Sequence, residues 1–212
     1  MIQVITDKPI AYDSLDHINP YGCVNDNNSS CFYINEVKKY FNNNKINVLD
    51  LGCAGGRIIV DHILWGDLAV GLEGSDNALN GAGAHNWRQY KDKNLFFCDI
   101  TEPFKIVDEN GNLIKFDYIQ MWEVLEHIPE DKLPVLFKNI KDHLKDYGLF
   151  AGSVATYHCE SGTHVSVFPK DKWYTIMKDN GIIVNDYPFT CVPRGVAGGD
   201  HGFVFSAKKE IF

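Results

Sequence analysis

The chain has 212 residues, 45% hydrophobic and 23% charged, a balance that suits a folded globular protein and not a disordered or fibrous one. Its 28 acidic residues outnumber 20 basic ones, a net charge of -8 that argues against a surface built to grip a phosphate backbone, since that needs clustered Lys and Arg. No apolar run reaches about 18 residues, no basic-then-apolar leader opens the chain, and six scattered cysteines lack any C-x-x-C, so a reduced cytoplasmic protein without membrane span, disulfide frame or zinc site is expected.

Residues 1–44 are expected to form an N-terminal substrate or lid arm with one helix, and 45–212 a single domain. The arm is rich in Asp, Asn, Tyr and Pro without sustained periodicity and reads as loop as far as about residue 30. Ser29 or Ser30 can cap a helix whose apolar face uses Phe32, Tyr33, Val37, Tyr40 and Phe41, and Asn42, Asn43 and Asn44 break it. Strands are predicted at 46–50, 68–73, 95–98, 116–121, 149–155, 182–187 and 202–207, alternating with helices in the order of a parallel sheet covered on both faces. After the fourth strand, Leu133, Leu136, Phe137, Ile140 and Leu144 fall on one helical stripe, Pro134 belongs to its first turn, and Gly148 supplies the turn into the next strand. A further helix runs from Lys170 to Asn180, with Trp173, Ile176 and Met177 inward and Gly181 as its stop.

The first strand ends in Val48-Leu-Asp-Leu-Gly-Cys-Ala-Gly-Gly56, and the second ends in Glu73, 23 residues after Asp50. A strand, a Gly-rich turn, a helix and a second strand ending in a carboxylate make a βαβ unit whose edge can hold a ribose. The dinucleotide fingerprint G-x-G-x-x-G fails, because Ala54 and Arg57 stand at its second and third glycines, and no Gly-Lys-Ser/Thr closes a P-loop. The turn does match acidic-x-Gly-x-Gly-x-Gly, read as Asp50, Gly52, Ala54 and Gly56. Asp99 follows in Phe96-Phe-Cys-Asp-Ile-Thr101, and then Met121-Trp-Glu-Val-Leu-Glu-His127.

With these ordered signals, from about Val48 to Val154, the chain resembles the class I, Rossmann-like S-adenosylmethionine (SAM) methyltransferases of small-molecule type. Ala54 departs from the family's middle glycine. The resemblance implies a three-layer α/β/α sandwich around a mostly parallel seven-stranded sheet with an antiparallel last strand. It also implies SAM as cofactor and S-adenosylhomocysteine as product. By the same resemblance Asp50, Gly52, Cys53, Ala54 and Gly56 would face the methionine part, and Glu73, Gly74 and Ser75 the ribose. Asp99 and Ile100 would meet the adenine, and the Met121-Trp122 peptide would lie near the sulfonium. Asp99 has a plainer alternative, since Asp commonly caps a turn.

Methyl transfer from a sulfonium asks chiefly for alignment, with a base only where the acceptor atom carries a tightly held proton. Candidates are His127, Glu123 and Glu126 after the fourth strand and His158 or His164 after the fifth; His127 could equally pack at a helix start. His158, Glu160 and His164 match no standard zinc spacing, so no metal is expected. Substrate choice should rest with two polar, aromatic segments, 12–27 and 156–170, and Asp13, Asp16, His17 and Asp26 suit a hydroxylated or amine-bearing ligand. The expected partner is a small polar acceptor, sugars included, with O or N receiving the methyl. Nucleic acid or protein as acceptor, or a non-catalytic SAM-binding subunit, are the alternatives.

Overall fold

The structure is a computed structural model and describes residues 1–193 and 201–210. Along the chain run β1 (Gln3–Thr6), α1 (Leu15–Ile18), α2 (Tyr21–Asn25), α3 (Cys31–Tyr40), β2 (Asn47–Leu51), α4 (Arg57–Leu64), β3 (Leu68–Glu73) and α5 (Ala84–Tyr90). There follow β4 (Leu95–Phe97), β5 (Phe104–Val107), β6 (Phe116–Trp122), α6 (Leu133–His143), β7 (Leu144–Ala155), α7 (Lys170–Asp179), β8 (Ile182–Asn185) and β9 (Gly202–Lys209).

The seven predicted strands form one sheet in the order β4-β3-β2-β6-β7-β9-β8. Pairing is parallel from β4 to β7, and β9 inserts antiparallel to both β7 and β8. The strand order reverses between β2 and β6, and in such sheets the crevice at the carboxyl ends of those strands is where ligands bind. The sheet is buried on both faces, and the period-2 alternation of each strand splits its side chains between two cores. Leu49, Leu51, Val70, Leu72, Ile119 and Met121 pack with α6 and α7 residues such as Phe137 and Trp173. Val48, Ala69, Tyr118, Leu149 and Ala151 pack on the other side with Tyr33, Ile59 and Trp87 of α3, α4 and α5. This is the Rossmann-like three-layer sandwich. Among the described residues no helix is long and apolar enough to cross a membrane.

Four sequence expectations need correction. The loop-rich arm contains β1, which pairs antiparallel with β5 in a separate two-stranded sheet, Gln3 opposite Val107. Ser30 does cap α3, accepting from Tyr33 N at 3.4 Å, but Phe32 and Tyr40 are not on its buried face; Phe32 is 75% exposed and Ile34 is buried in its place. Leu144 opens β7 rather than ending α6, because it pairs with Phe116. Gly148 therefore lies inside a strand, where a Cβ would come 2.6 Å from Leu144 Cδ1.

A buried ion network sets the spacing of the two strands that carry the site. Asp67, just before β3, accepts from Lys38 Nζ at 2.5 Å, from Ile46 N at 3.1 Å and pairs with His62 Nδ1 at 2.9 Å. Burial acts to raise its pKa, but the hydrogen bonds from His62 and Lys38 outweigh it and hold the carboxyl below its ordinary value. Replacing Asp67 by Ala leaves the Lys38 ammonium buried without a counter-charge, held only by the Asn44 carbonyl at 2.6 Å. A loss of about 3–5 kcal/mol in urea unfolding is expected.

Candidate active site

The turn after β2 is folded back onto β3: Gly52 N and Cys53 N both donate to Leu72 O, at 2.8 and 3.0 Å. This needs left-handed backbone at Gly52 (φ +77°), Ala54 (φ +45°) and Gly56 (φ +76°). Glycine adopts that conformation freely, but an alanine there is strained. The turn's carbonyls are taken by α5, with Trp87 Nε1 donating to Ala54 O at 2.8 Å and Asn86 Nδ2 to Gly55 O at 2.8 Å. Sequence reasoning missed Asn86 and Trp87, which sit on a helix without a motif of its own.

Glu73 ends β3 with its carboxylate held on both oxygens. Ala54 N donates to Oε2 at 2.8 Å and Ser75 N to Oε1 at 3.0 Å. A carboxylate has about four acceptor positions, so two backbone donors orient it and leave capacity for two more. Burial raises its pKa to about 7, with the Asp16 charge adding and the amide donors opposing. Asp50 is likewise raised to about 7, by burial first and then by the Glu73 charge, against the opposing effect of the neighbouring Gln120 amide.

Glu73 opens onto a cavity of about 530 Å³. Of the sequence-selected residues, Gly52, Ala54, Glu73, Gly74, Ser75, Asp99 and Ile100 line one part of it, and Glu123, His127 and His164 another. Asp50, Cys53 and Trp122 do not reach this space; they line a small crevice that shares Gly52 with it and is bounded by Asp26, Asn27 and Asn28. Met121 is fully buried in the core, and neither it nor Gly56 lines the cavity. Asp99 Oδ1 accepts from Thr101 N at 3.0 Å and Thr101 Oγ1 at 2.7 Å, so it caps its turn while also lining the cavity.

The arm covers the cavity. Ala11 N donates to Gly74 O at 2.9 Å, His17 Nδ1 lies 3.2 Å from Ser75 Oγ, and Asn77 Nδ2 donates to His17 O at 3.2 Å. Asp13, Asp16 and His17 thus join the lining. The lining lysines, Lys8 and Lys132, are both paired with Glu102, at 3.0 and 2.8 Å. Asp13, Asp16, Glu73, Asp99 and Glu123 therefore give the cavity a net acidic wall suited to a cation.

At the far end, Glu123 adopts φ +53°, a conformation that costs of the order of 1–3 kcal/mol in a non-glycine residue and persists where the surroundings impose it. Its N–H donates to Ser153 Oγ at 3.0 Å, and its Oε1 is buried without a hydrogen-bond partner among the described residues. Burial raises the Glu123 pKa, against a hydrogen bond with Ser153 and the charge of His127. Glu126 is fully buried and its pKa is also raised, by burial first and then by the Glu123 charge. His127 Nδ1 stands 3.0 Å from Asp16 Oδ2, an ion contact without the alignment of a hydrogen bond. Burial disfavours its charged form, but Asp16 and Glu126 more than offset this and raise its pKa. His164 has a lowered pKa, from burial first, and its Nδ1 donates to Tyr157 O at 2.7 Å. The two imidazole rings meet edge to face, 4.8 Å apart. His158 and Glu160 do not line the cavity.

Sheet order, reversed strand crevice and glycine turn against a strand-end carboxylate define a class I methyltransferase domain. A family profile described as a methyltransferase domain matches residues 27–185, and the chain belongs to this family of SAM-dependent enzymes. No curated protein matches the sequence. Among solved structures, a SAM-dependent methyltransferase from Clostridium acetobutylicum superposes with a TM-score of 0.62 at 16% identity, over 94% of this chain and 96% of that one. The 1,6-didemethyltoxoflavin-N1-methyltransferase of Burkholderia thailandensis, with its substrate and S-adenosylhomocysteine bound, gives 0.60 at 15% identity over 82% and 76%. A glycopeptide N-methyltransferase complexed with SAM gives 0.57 at 14% identity over 86% and 95%. At these identities the likeness carries the fold.

Proposed function

We propose that the chain transfers the methyl group of SAM to an O or N atom of a polar small molecule, sugar-linked acceptors included. What supports this most is one continuous acidic cavity that joins the Glu73 turn to the Glu123, His127 and His164 cluster. The left-handed turn and the doubly anchored Glu73 carboxylate suit a nucleoside, and an acidic wall suits a sulfonium. When bound, SAM supplies an already activated methyl group on a positively charged sulfur.

The residues then divide the remaining work. Glu73 accepts from the two ribose hydroxyls, Asp99 and Ile100 border the adenine, and Asp50 lies across Gly52 on the side of the amino-acid end. The arm residues Asp13, Asp16 and His17 close the cavity over the donor and exclude water, which strengthens every polar contact inside. Glu123 takes the acceptor's proton at Oε1, the oxygen without a hydrogen-bond partner among the described residues, and its raised pKa makes it a stronger base than an ordinary carboxylate. His127 and His164 border the same space.

Calorimetry with SAM and with S-adenosylhomocysteine tests the donor half; saturable binding of both is expected, and no heat at millimolar ligand ends the proposal. Release of S-adenosylhomocysteine, followed across a panel of amino sugars, hydroxylated acids and small amines, tests the acceptor half. Turnover only with an oligonucleotide or a protein acceptor would overturn it.

A further inference from the structure

Three side chains that sequence spacing did not join converge where His127 and His164 border the cavity, with Glu126 buried behind them. A carboxylate oxygen of Glu126 and one ring nitrogen each of His127 and His164 lie within 4.8 Å of one another. We propose that Glu126, His127 and His164 form a binding site for a divalent first-row transition cation, with its remaining coordination positions open to the cavity.

The first support is an unpartnered buried oxygen. Glu126 is fully buried; its Oε1 accepts from Ala155 N at 3.2 Å, but its Oε2 has no hydrogen-bond partner among the described residues. Buried polar atoms left so are rare and call for a partner, which a cation supplies directly. The second is the orientation of the imidazoles. His164 donates its Nδ1–H to the Tyr157 carbonyl, which leaves the lone pair on Nε2; a ligating histidine is ordinarily fixed in this way through its other nitrogen. Among the described residues His127 Nδ1 is buried without an aligned partner, and Asp16 Oδ2, 3.0 Å away, adds negative charge at the same place.

The third support is that the backbone fixes the convergence. Val165 N and Ser166 N both donate to Glu126 O, at 2.9 Å each, and Ser166 Oγ donates to Ile128 O at 2.6 Å. The loop carrying His164 is thereby stapled to the turn carrying Glu126 and His127. Ligands at about 2.0–2.2 Å from a cation need small rotations of these side chains from their present span. His164, half-buried on a loop, can make them. Two imidazoles and one carboxylate favour zinc, cobalt, iron or manganese over magnesium or calcium, which prefer all-oxygen shells. This inference does not rest on the donor reading, because neither Glu73 nor the glycine turn takes part.

The test uses untagged, chelator-treated full-length chain, without SAM or acceptor. Titration with Co²⁺, followed by its visible ligand-field absorption and by calorimetry, is expected to show one saturable site in the micromolar range, emptied by competing Zn²⁺. His164→Ala is expected to weaken Co²⁺ binding by at least about 100-fold with an unchanged circular dichroism spectrum, and Glu126→Gln to do the same. No saturable absorption at millimolar Co²⁺, or an affinity unchanged in His164→Ala, overturns the site. SAM calorimetry on the same metal-free sample separates that failure from a failure of the donor pocket.

Discussion

Glu73→Gln is expected to weaken SAM binding by about 100-fold or more, read as the dissociation constant by calorimetry at pH 8. Each hydrogen bond between a ribose hydroxyl and a carboxylate contributes about 1.5–3 kcal/mol, and tenfold in affinity corresponds to about 1.4 kcal/mol. Glutamine keeps the shape but offers only one acceptor oxygen. It also turns an NH₂ toward either Ala54 N–H or Ser75 N–H, the two donors that now hold the carboxylate. The turn loses its anchor together with the ribose. Because burial places the Glu73 pKa at about 7, the wild-type chain adds a pH arm to the experiment. Above that pH the carboxylate is ionised and accepts; below it, a proton must leave before the hydroxyls bind, and affinity falls by up to about tenfold per pH unit. Glu73→Gln removes that titration and flattens the profile, down to what Asp50, also raised to about 7, still contributes. An unchanged dissociation constant in the variant would place the nucleoside elsewhere.

The glycine turn and the strand-end carboxylate were legible because they are local in sequence. Asp50, Gly52, Ala54, Gly56 and Glu73 lie in one βαβ unit whose glycines and strand-end acids constrain each other at fixed spacing, so residue types alone reveal the turn. The strands were legible for a similar reason: being buried on both faces, they read as apolar runs such as Ala69 to Leu72. β1 and β5 escaped because four-residue strands at the margin of the fold have no such signature. β1 alternates between exposed and half-buried residues, and its partner lies about a hundred residues away. Leu144 was misassigned because it satisfies the stripe of α6 as well as the pairing with Phe116, and only tertiary contact decides between them.

The acceptor side was legible only in pieces. Glu123 and His127 stand out at a strand end, and His164 in a polar loop, but what joins them is backbone bonding from Val165 and Ser166 to Glu126 O. Backbone groups are the same in every residue, so no letter in the sequence announces that staple. Asn86 and Trp87 act in the same silent way, holding the glycine turn through its carbonyls from a helix that carries no nucleotide motif.

Glu123→Gln is expected to lower kcat for the acceptor found in the release assay by about 10²–10⁴-fold, the range a positioned general base contributes. SAM affinity should change by no more than a few-fold, since Glu123 is one of several carboxylates in the acidic wall and makes none of the bonds that hold the Glu73 carboxylate. The strained φ of +53° directs the residue off the end of β6, and the Ser153 hydroxyl that accepts its N–H holds it there. That geometry leaves Oε1 buried without a partner among the described residues, where an acceptor proton can supply one. Glutamine retains the size and the polar contact but cannot take a proton, so the loss should fall on kcat and leave the acceptor KM within a few-fold. Glu123→Gly separates the role of the backbone from that of the side chain. Glycine adopts the left-handed conformation without strain, so the fold should be kept or slightly stabilised while kcat stays as low as in glutamine. If both variants turn over at the wild-type rate, the acceptor reaches the methyl group already deprotonated. In that case the carboxylate serves the acidic wall of the cavity rather than the transfer step.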